Sequence, residues 1–286
     1  MSIKILSCHP IFNENALALS QKYNFPVENV FSPKNNDVYI VFGANSNPAV
    51  LLNAQLDTEI KFYYIILNSE QIESPFLKNK NYIKLLKDSI VFSYSDSITK
   101  WLEENIQIKI FGSFYFPFIK SLYNYKREYD VVFVGSINDK RLNILDNLKK
   151  TSLNVYCDFE WKHLIPEDLN NLLNKSKVVI NIPYYNNNAL ETHRIIKAMS
   201  AGCSVISLRS SDTELDSLYE DYIYFTSDIV KCVNKYFDNK LKPKKTYEEL
   251  IEFLDSNIGN RFINKVNEIV REVKTGFLHQ TLLQSH

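Results

Sequence analysis

Two segments place ionisable side chains where an anion could be held. In the first, Asp130-Val131-Val132-Phe133-Val134-Gly135 is an apolar run ending in glycine. Ser136 and Asn138 follow it and precede a helix-forming stretch that carries Lys140 and Arg141 in its first turn. Helix N-termini are partly positive and ordinarily attract acids, so two cations there point to an anion close by. Gly135 allows a ligand near the backbone, and free helix N–H groups can take phosphate oxygens. The plainer reading makes Asn138 an N-cap and leaves Lys140 and Arg141 to solvent. In the second segment, helical spacing sets Glu191 and Arg194 on one face, pairs His193 with Lys197 at i, i+4, and turns Ile195, Ile196 and Met199 the other way. Here the plainer reading is an amphipathic helix with a surface Glu–Arg pair.

The elements that must carry these residues follow from the apolar runs. Ile3–Ser7, Asp37–Gly43, Lys61–Leu67 and Ser89–Ser93 are short, β-branched or aromatic, and nearly all apolar. Strands read so when both faces of a parallel sheet are covered. Helix-like stretches separate them: Pro48–Gln55, Ile72–Lys87 and Ser95–Glu104. After an irregular aromatic segment, Phe111–Lys126, the rhythm restarts with strands at Tyr129–Gly135, Leu153–Cys157, Val178–Ile182, Cys203–Ser207 and Tyr222–Phe225. Helices are expected at Asp139–Lys150, Pro166–Asn174, Leu190–Ala201 and from Ser227 onward, with Gly202 at a C′ position. The alternation predicts an α/β protein with two Rossmann-like domains of parallel sheet facing a cleft: residues 1–122 and 123–245. Residues 246–286 read as C-terminal helices packing back toward the first domain, with a patternless tail from Gly276. Ligands of open parallel sheets sit at the strands' carboxyl ends. That singles out Cys8-His9-Pro10, Gly43–Ser46, Asn68–Gln71, Gly135–Asn138, Pro183–Tyr185 and Ser207–Asp212.

Composition narrows the chemistry. Only 6 of 286 residues are glycine, where average usage of about 7% would give roughly twenty. Neither a G-x-G-x-x-G fingerprint nor a G-x-x-x-x-G-K-[ST] loop occurs, which removes the main support for a dinucleotide oxidoreductase or a P-loop nucleotidase. Thirty-three Lys+Arg balance 33 Asp+Glu, so no electrostatic footprint for nucleic acid is expected. Cys8, Cys157, Cys203 and Cys232 lack metal-knuckle spacing and read as small buried thiols of a reducing compartment. With no basic-then-apolar leader and no apolar window of membrane-spanning length, a cytoplasmic protein is expected.

The run Asp130–Arg141 resembles the opening of the donor-binding domain of GT-B-type glycosyltransferases. The similarity continues through Ser176–Ile182, Glu191-Thr192-His193-Arg194 and the helix-to-strand step Ala198–Ser207, and covers about half the chain. Asn68–Gln71 and Phe92–Ser95 are similar, more loosely, to acceptor-domain segments of small glycosyltransferases of bacteria and large DNA viruses, which would put the protein in a host cytoplasm if its source is viral. The resemblance implies a nucleotide sugar, most simply UDP-linked, held by the C-terminal domain, and a glycan hydroxyl held by the N-terminal one. It implies no cofactor and no metal, because helix N-termini and basic side chains can neutralise a diphosphate. On it, Arg194 contacts the diphosphate, Gly135, Ser136, Asn138 and Arg141 line the donor loop, and Tyr184 and Tyr185 offer ring faces to a base or sugar. Glu191, His193, Lys197, Ser211 and Asp212 complete the donor set. One position departs from the pattern: Lys197 stands where many GT-B enzymes carry a ribose-binding glutamate. Either Asp212 or Glu191 takes that role, or the donor sits differently.

An inverting transferase needs a group to take the acceptor's proton. Glu70, after the strongest strand of the first domain, ranks first, then His9, with Asp96 behind them; in a retaining enzyme Glu70 would simply hold the acceptor. Two other classes fit the same pattern. One is a non-catalytic nucleotide-sugar or glycan-binding module. The other is a nucleotide-sugar-modifying Rossmann enzyme, which the missing glycine fingerprint disfavours.

Overall fold

The structure is a computed structural model that describes residues 2–56, 59–121, 126–159 and 166–275. Its contacts divide the chain into two compact units, Met1–Pro117 together with the chain from Leu254, and Phe118–Phe253. The boundary expected between residues 122 and 123 and the tail from Gly276 lie outside the described residues.

In the first unit, β1 (Ile3–Ser7), β2 (Val38–Phe42), β3 (Tyr63–Asn68), β4 (Ile90–Ser93) and β5 (Ile110–Ser113) form a parallel sheet in chain order. Helices α1 (Asn13–Tyr23), α2 (Pro48–Leu56), α3 (Lys80–Lys87) and α4 (Asp96–Trp101) alternate with the strands. Every residue of β2 and β4 is buried, which accounts for their nearly all-apolar sequences.

Two sequence expectations are corrected here. Ile72–Lys87 is not one helix: Pro75 opens a single 3₁₀ turn, and Asn79 caps a new start at Lys80 by accepting from the Asn81 and Tyr82 N–H groups. The irregular stretch from Phe111 also hides strand β5. Its Gly112 looks like a break, but a Cβ there would lie 3.0 Å from the Phe92 ring. The glycine admits that ring against the edge strand.

The second unit contains β6 (Tyr129–Val134), β7 (Val155–Asp158), β8 (Ser176–Asn181), β9 (Ser204–Leu208) and β10 (Tyr224–Thr226), all parallel, in the order β10-β9-β8-β6-β7. Helices α5 (Asp139–Lys149), α6 (Pro166–Asn174), α7 (Thr192–Ser200), α8 (Thr213–Leu218) and α9 (Ile229–Phe237) alternate with them. Val131, Phe133, Leu145, Leu148, Val178, Ile180, Ile206 and Val233 pack its core. Then α10 (Tyr247–Leu254) runs to the end of this unit, and after one turn of π-helix α11 (Asn260–Thr275) packs in the first unit, where Phe262 meets Phe92 edge-on.

Chain order reverses beside β6: the path goes out to β7, then returns to β8 on the other side. The carboxyl ends of β6 and β8 therefore flank a switch point, where ligands of open α/β sheets bind. No described helix is long and apolar enough to cross a membrane. All four cysteines are free; Cys203 and Cys232 are buried as expected, whereas Cys8 and Cys157 are only partly so.

Candidate active site

Two guanidinium groups and one carboxylate occupy the switch point of the second sheet. Arg141 lies in the first turn of α5 and is 2% exposed. Its Nε donates to the Ile182 carbonyl (2.8 Å), Nη1 to the Ser136 carbonyl (2.7 Å) and Nη2 to Glu191 (3.1 Å). The rings of Phe133 and Tyr184 cover it at 5.1 and 5.2 Å. Burial and the neighbouring Arg194 pull Arg141 down to about 10, so it stays charged at neutral pH. Arg194 pairs with the other oxygen of the same Glu191 and donates from Nη1 to Asn181 at 2.8 Å. Its Nη2 makes no hydrogen bond among the described residues and faces Gly135, where a Cβ would approach it to 3.0 Å.

Local sequence explains the arrangement. Ile195, Ile196, Ala198 and Met199 anchor α7 in the core, and the i, i+3 spacing sets Glu191 against Arg194. Asn138 caps α5, accepting from the Arg141 N–H at 2.9 Å, while its Nδ2 donates to the Tyr184 carbonyl at 2.9 Å. One side chain thus ties the loop after β6 to the loop after β8. Gly135 has φ +154, which L side chains rarely adopt. Tyr184 is exposed and meets Tyr185 edge-on at 5.1 Å.

The structure thus brings together Gly135, Ser136, Asn138, Arg141, Tyr184, Glu191 and Arg194, with Tyr185 beside Tyr184. His193 and Lys197 belong to a different neighbourhood. Both meet the Phe118 ring, at 5.0 and 5.1 Å, and buried Lys197 donates to Asn170 of α6. Burial, then the charges of Lys197 and Arg194, pulls His193 down to about 3, so it is a neutral imidazole. The Ser211 hydroxyl donates to the Asn188 carbonyl at 2.6 Å, and Asp212 is buried while capping α8 through Leu215 N–H at 2.9 Å.

Two residues escaped the sequence reading. Asn181, fully buried, orients Arg194 and donates to Ser207 at 3.0 Å. Its signal was a polar residue closing an apolar strand. Phe133 lies beneath both guanidinium groups, 5.1 Å from Arg141 and 5.5 Å from Arg194; nothing in the sequence separates it from ordinary core.

In the first unit, Glu70 lies two residues beyond β3. Its N–H donates to Asn68, its carboxylate accepts from Ser74, and burial pushes its pKa up, partly opposed by that hydroxyl. His9 caps a 3₁₀ turn: Nδ1 accepts from the Ile11 N–H at 3.3 Å. A neutral His9 then carries its proton on Nε2, which donates rather than accepts. Asp96 is exposed at the start of α4.

Comparison with known proteins yields matches over most of the chain. Residues 97–252 match the family described as glycosyl transferase-like. The uncharacterized protein L140 of Acanthamoeba polyphaga mimivirus is 31% identical over 206 residues, 68% of this chain and 64% of that protein. The fold is similar to that of Anabaena HepE in complex with UDP-glucose: TM-score 0.56, 11% identity, 96% of this chain and 100% of that one. It is also similar to AviGT4, a glycosyltransferase involved in avilamycin A biosynthesis: TM-score 0.52, 6% identity, 95% of this chain and 98% of that one.

Proposed function

Since the chain belongs to the glycosyl transferase-like family and has the paired parallel sheets of the GT-B fold, we propose that it moves a sugar from a UDP-linked donor to a hydroxyl of a glycan acceptor, without a metal ion. One observation carries this reading. At the switch point of the second sheet, Arg141 and Arg194 share the single carboxylate of Glu191. The cluster keeps one uncompensated positive charge, and Nη2 of Arg194 is directed to the glycine at the end of β6. A diphosphate there supplies the missing negative charge, and it needs no divalent cation if guanidinium and helix N–H groups meet it. HepE, which shares the fold, is known in complexes with UDP and UDP-glucose, and this supports the choice of nucleotide.

In the proposed reaction the acceptor oxygen bonds to the anomeric carbon as the bond from that carbon to the diphosphate oxygen breaks. UDP leaves with the bonding electrons and the acceptor proton passes to a base. Arg194 stabilises the charge growing on the leaving diphosphate. Arg141, each of whose three nitrogens bonds a protein oxygen, positions Glu191 and the two loops. Glu70 is assigned as base: burial raises its pKa, which strengthens it as a proton acceptor near neutrality. The Nδ1 bond of His9 argues for Glu70 over it.

The test is transfer or hydrolysis of UDP-sugars by wild type and Arg194→Ala. Turnover should fall at least about a hundredfold, the scale of losing one donor to a developing oxyanion. Full turnover by the variant would overturn the assignment.

A further inference from the structure

Glu70 is held from two directions, both within the first unit. Asn68, the last residue of β3, is fully buried, and its amide brackets the Glu70 backbone: Oδ1 accepts from the Glu70 N–H at 3.3 Å and Nδ2 donates to the Glu70 carbonyl at 3.5 Å. The buried Tyr82 hydroxyl of α3 donates to the same Oδ1 at 2.9 Å. The carboxylate is held separately, by Ser74. This serine is 2% exposed, and its N–H donates to the Gln71 carbonyl at 2.9 Å, closing the turn that carries Glu70. Its Oγ accepts from the Phe76 N–H at 3.3 Å, capping the 3₁₀ turn that Pro75 opens, and donates to Oε2 of Glu70.

A serine hydroxyl carries one proton. The cap uses only a lone pair, so the proton is committed to the carboxylate. Oε1 of Glu70 makes no hydrogen bond among the described residues, and the residue stays partly exposed. The charged surroundings are sparse. Glu73 of the same turn is exposed, and the titratable group facing Glu70 from α3 is the Tyr82 phenol, whose pKa is raised by burial and then by the Glu70 charge. Burial works against the ionised carboxylate, and among the described residues the Ser74 hydroxyl works for it.

We infer that Ser74 is the positioning residue of the base: it holds Oε2 and leaves Oε1 to take the proton of the acceptor hydroxyl. The acceptor O–H bond breaks as that proton bonds to Oε1, and the released electron pair goes to the anomeric carbon. The inference rests on the proposed reading, in which Glu70 is the base.

The test measures kcat and KM against pH for wild type, Ser74→Ala, Glu70→Gln and the double variant. Melting temperatures verify folding, and a UDP-induced melting shift reports the Arg194 site by itself. In Ser74→Ala, kcat above the acid limb should fall about tenfold, because the carboxylate loses its orientation, while KM for the acceptor changes less. The limb should move to higher pH, because a hydrogen bond to the charged form is gone. The double variant should turn over no more slowly than Glu70→Gln, because Ser74 acts through Glu70. Loss of a turn cap alone would lower the melting temperature, leave the limb in place and add to the loss in Glu70→Gln. If Ser74→Ala is too unstable to assay, Ser74→Cys, close in size and a much weaker donor, is read in the same way. An unmoved limb, or a double variant slower than Glu70→Gln, overturns the role of Ser74 while Glu70 keeps its own. An unchanged limb in Glu70→Gln would instead remove the base assignment and the inference with it, and no UDP shift in wild type would remove the transferase reading beneath both.

Discussion

Arg141 and Arg194 share a carboxylate, yet their environments separate their roles. Arg141 is buried and bonded to two carbonyls and Glu191, whereas the Arg194 side chain is 22% exposed and its Nη2 makes no hydrogen bond among the described residues. Arg141→Ala strands one buried and one partly buried carbonyl oxygen and half of an ion pair, so it should destabilise the fold by about 3 kcal/mol. Arg194→Ala should change stability by less than about 1 kcal/mol while losing turnover. Urea unfolding of the two variants separates the cases; equal destabilisation would contradict the division. Glu70 supplies a pH test. Its folded pKa is raised, so folding favours the protonated acid. That contribution is fully present below the ordinary carboxylate range and is lost as pH rises through the raised value. Activity runs the other way, because a base must be deprotonated. The acid limb of a kcat/KM profile should therefore lie above the usual glutamate range and vanish, with most of the activity, in Glu70→Gln. An unchanged limb in that variant would clear Glu70 of the role. Among these residues, Arg194 and Glu191 were legible from i, i+3 spacing. The commitment of Arg141 to protein carbonyls was not, because those acceptors come from loops distant in sequence.

Helix α7 shows what an element adds to its residues. Its apolar face was readable in the sequence, as was Gly202 at its end. Hidden was the plug that completes the end: Nη2 of Arg127 donates to the Ala201 and Gly202 carbonyls, at 3.0 and 3.2 Å, and Nη1 to Leu173 and Ser176, at 3.0 and 2.6 Å. A side chain 74 positions away satisfies carbonyls that a helix C-terminus leaves orphaned. Gly202 has φ +74, and a Cβ there would meet Arg127 Nη2 at 2.7 Å. Gly202→Ala should therefore cost about 1–2 kcal/mol from backbone strain and displace the plug as well. A denaturation midpoint equal to wild type would show that neither effect operates. The elements misread in the sequence failed for local reasons. Pro75 sits inside a stretch whose apolar spacing reads as continuous helix, and Gly112 in β5 is a strand glycine whose purpose is a ring from β4.

For the whole molecule, the rhythm of apolar runs was enough to predict two parallel sheets, but not strand order. Order is set by which crossover packs where, and it decides that the second sheet has a reversal beside β6 while the first, among the described strands, runs straight from β1 to β5. In the proposed reading this difference puts the anionic ligand on the second unit, and it yields a prediction that single substitutions cannot make. UDP at one hundred times its dissociation constant should stabilise the protein by about 2.7 kcal/mol. Amide hydrogen exchange should then slow chiefly at the carboxyl ends of β6 and β8 and in the first turns of α5 and α7. Strands β1–β4 should change less. The same protection should persist in excess EDTA, because Arg194 and helix N–H groups, not a divalent ion, meet the diphosphate in this reading. Protection centred on Met1–Pro117 would move the nucleotide to the other unit. Protection abolished by EDTA would leave the guanidinium cluster as a scaffold and require a metal for the charge.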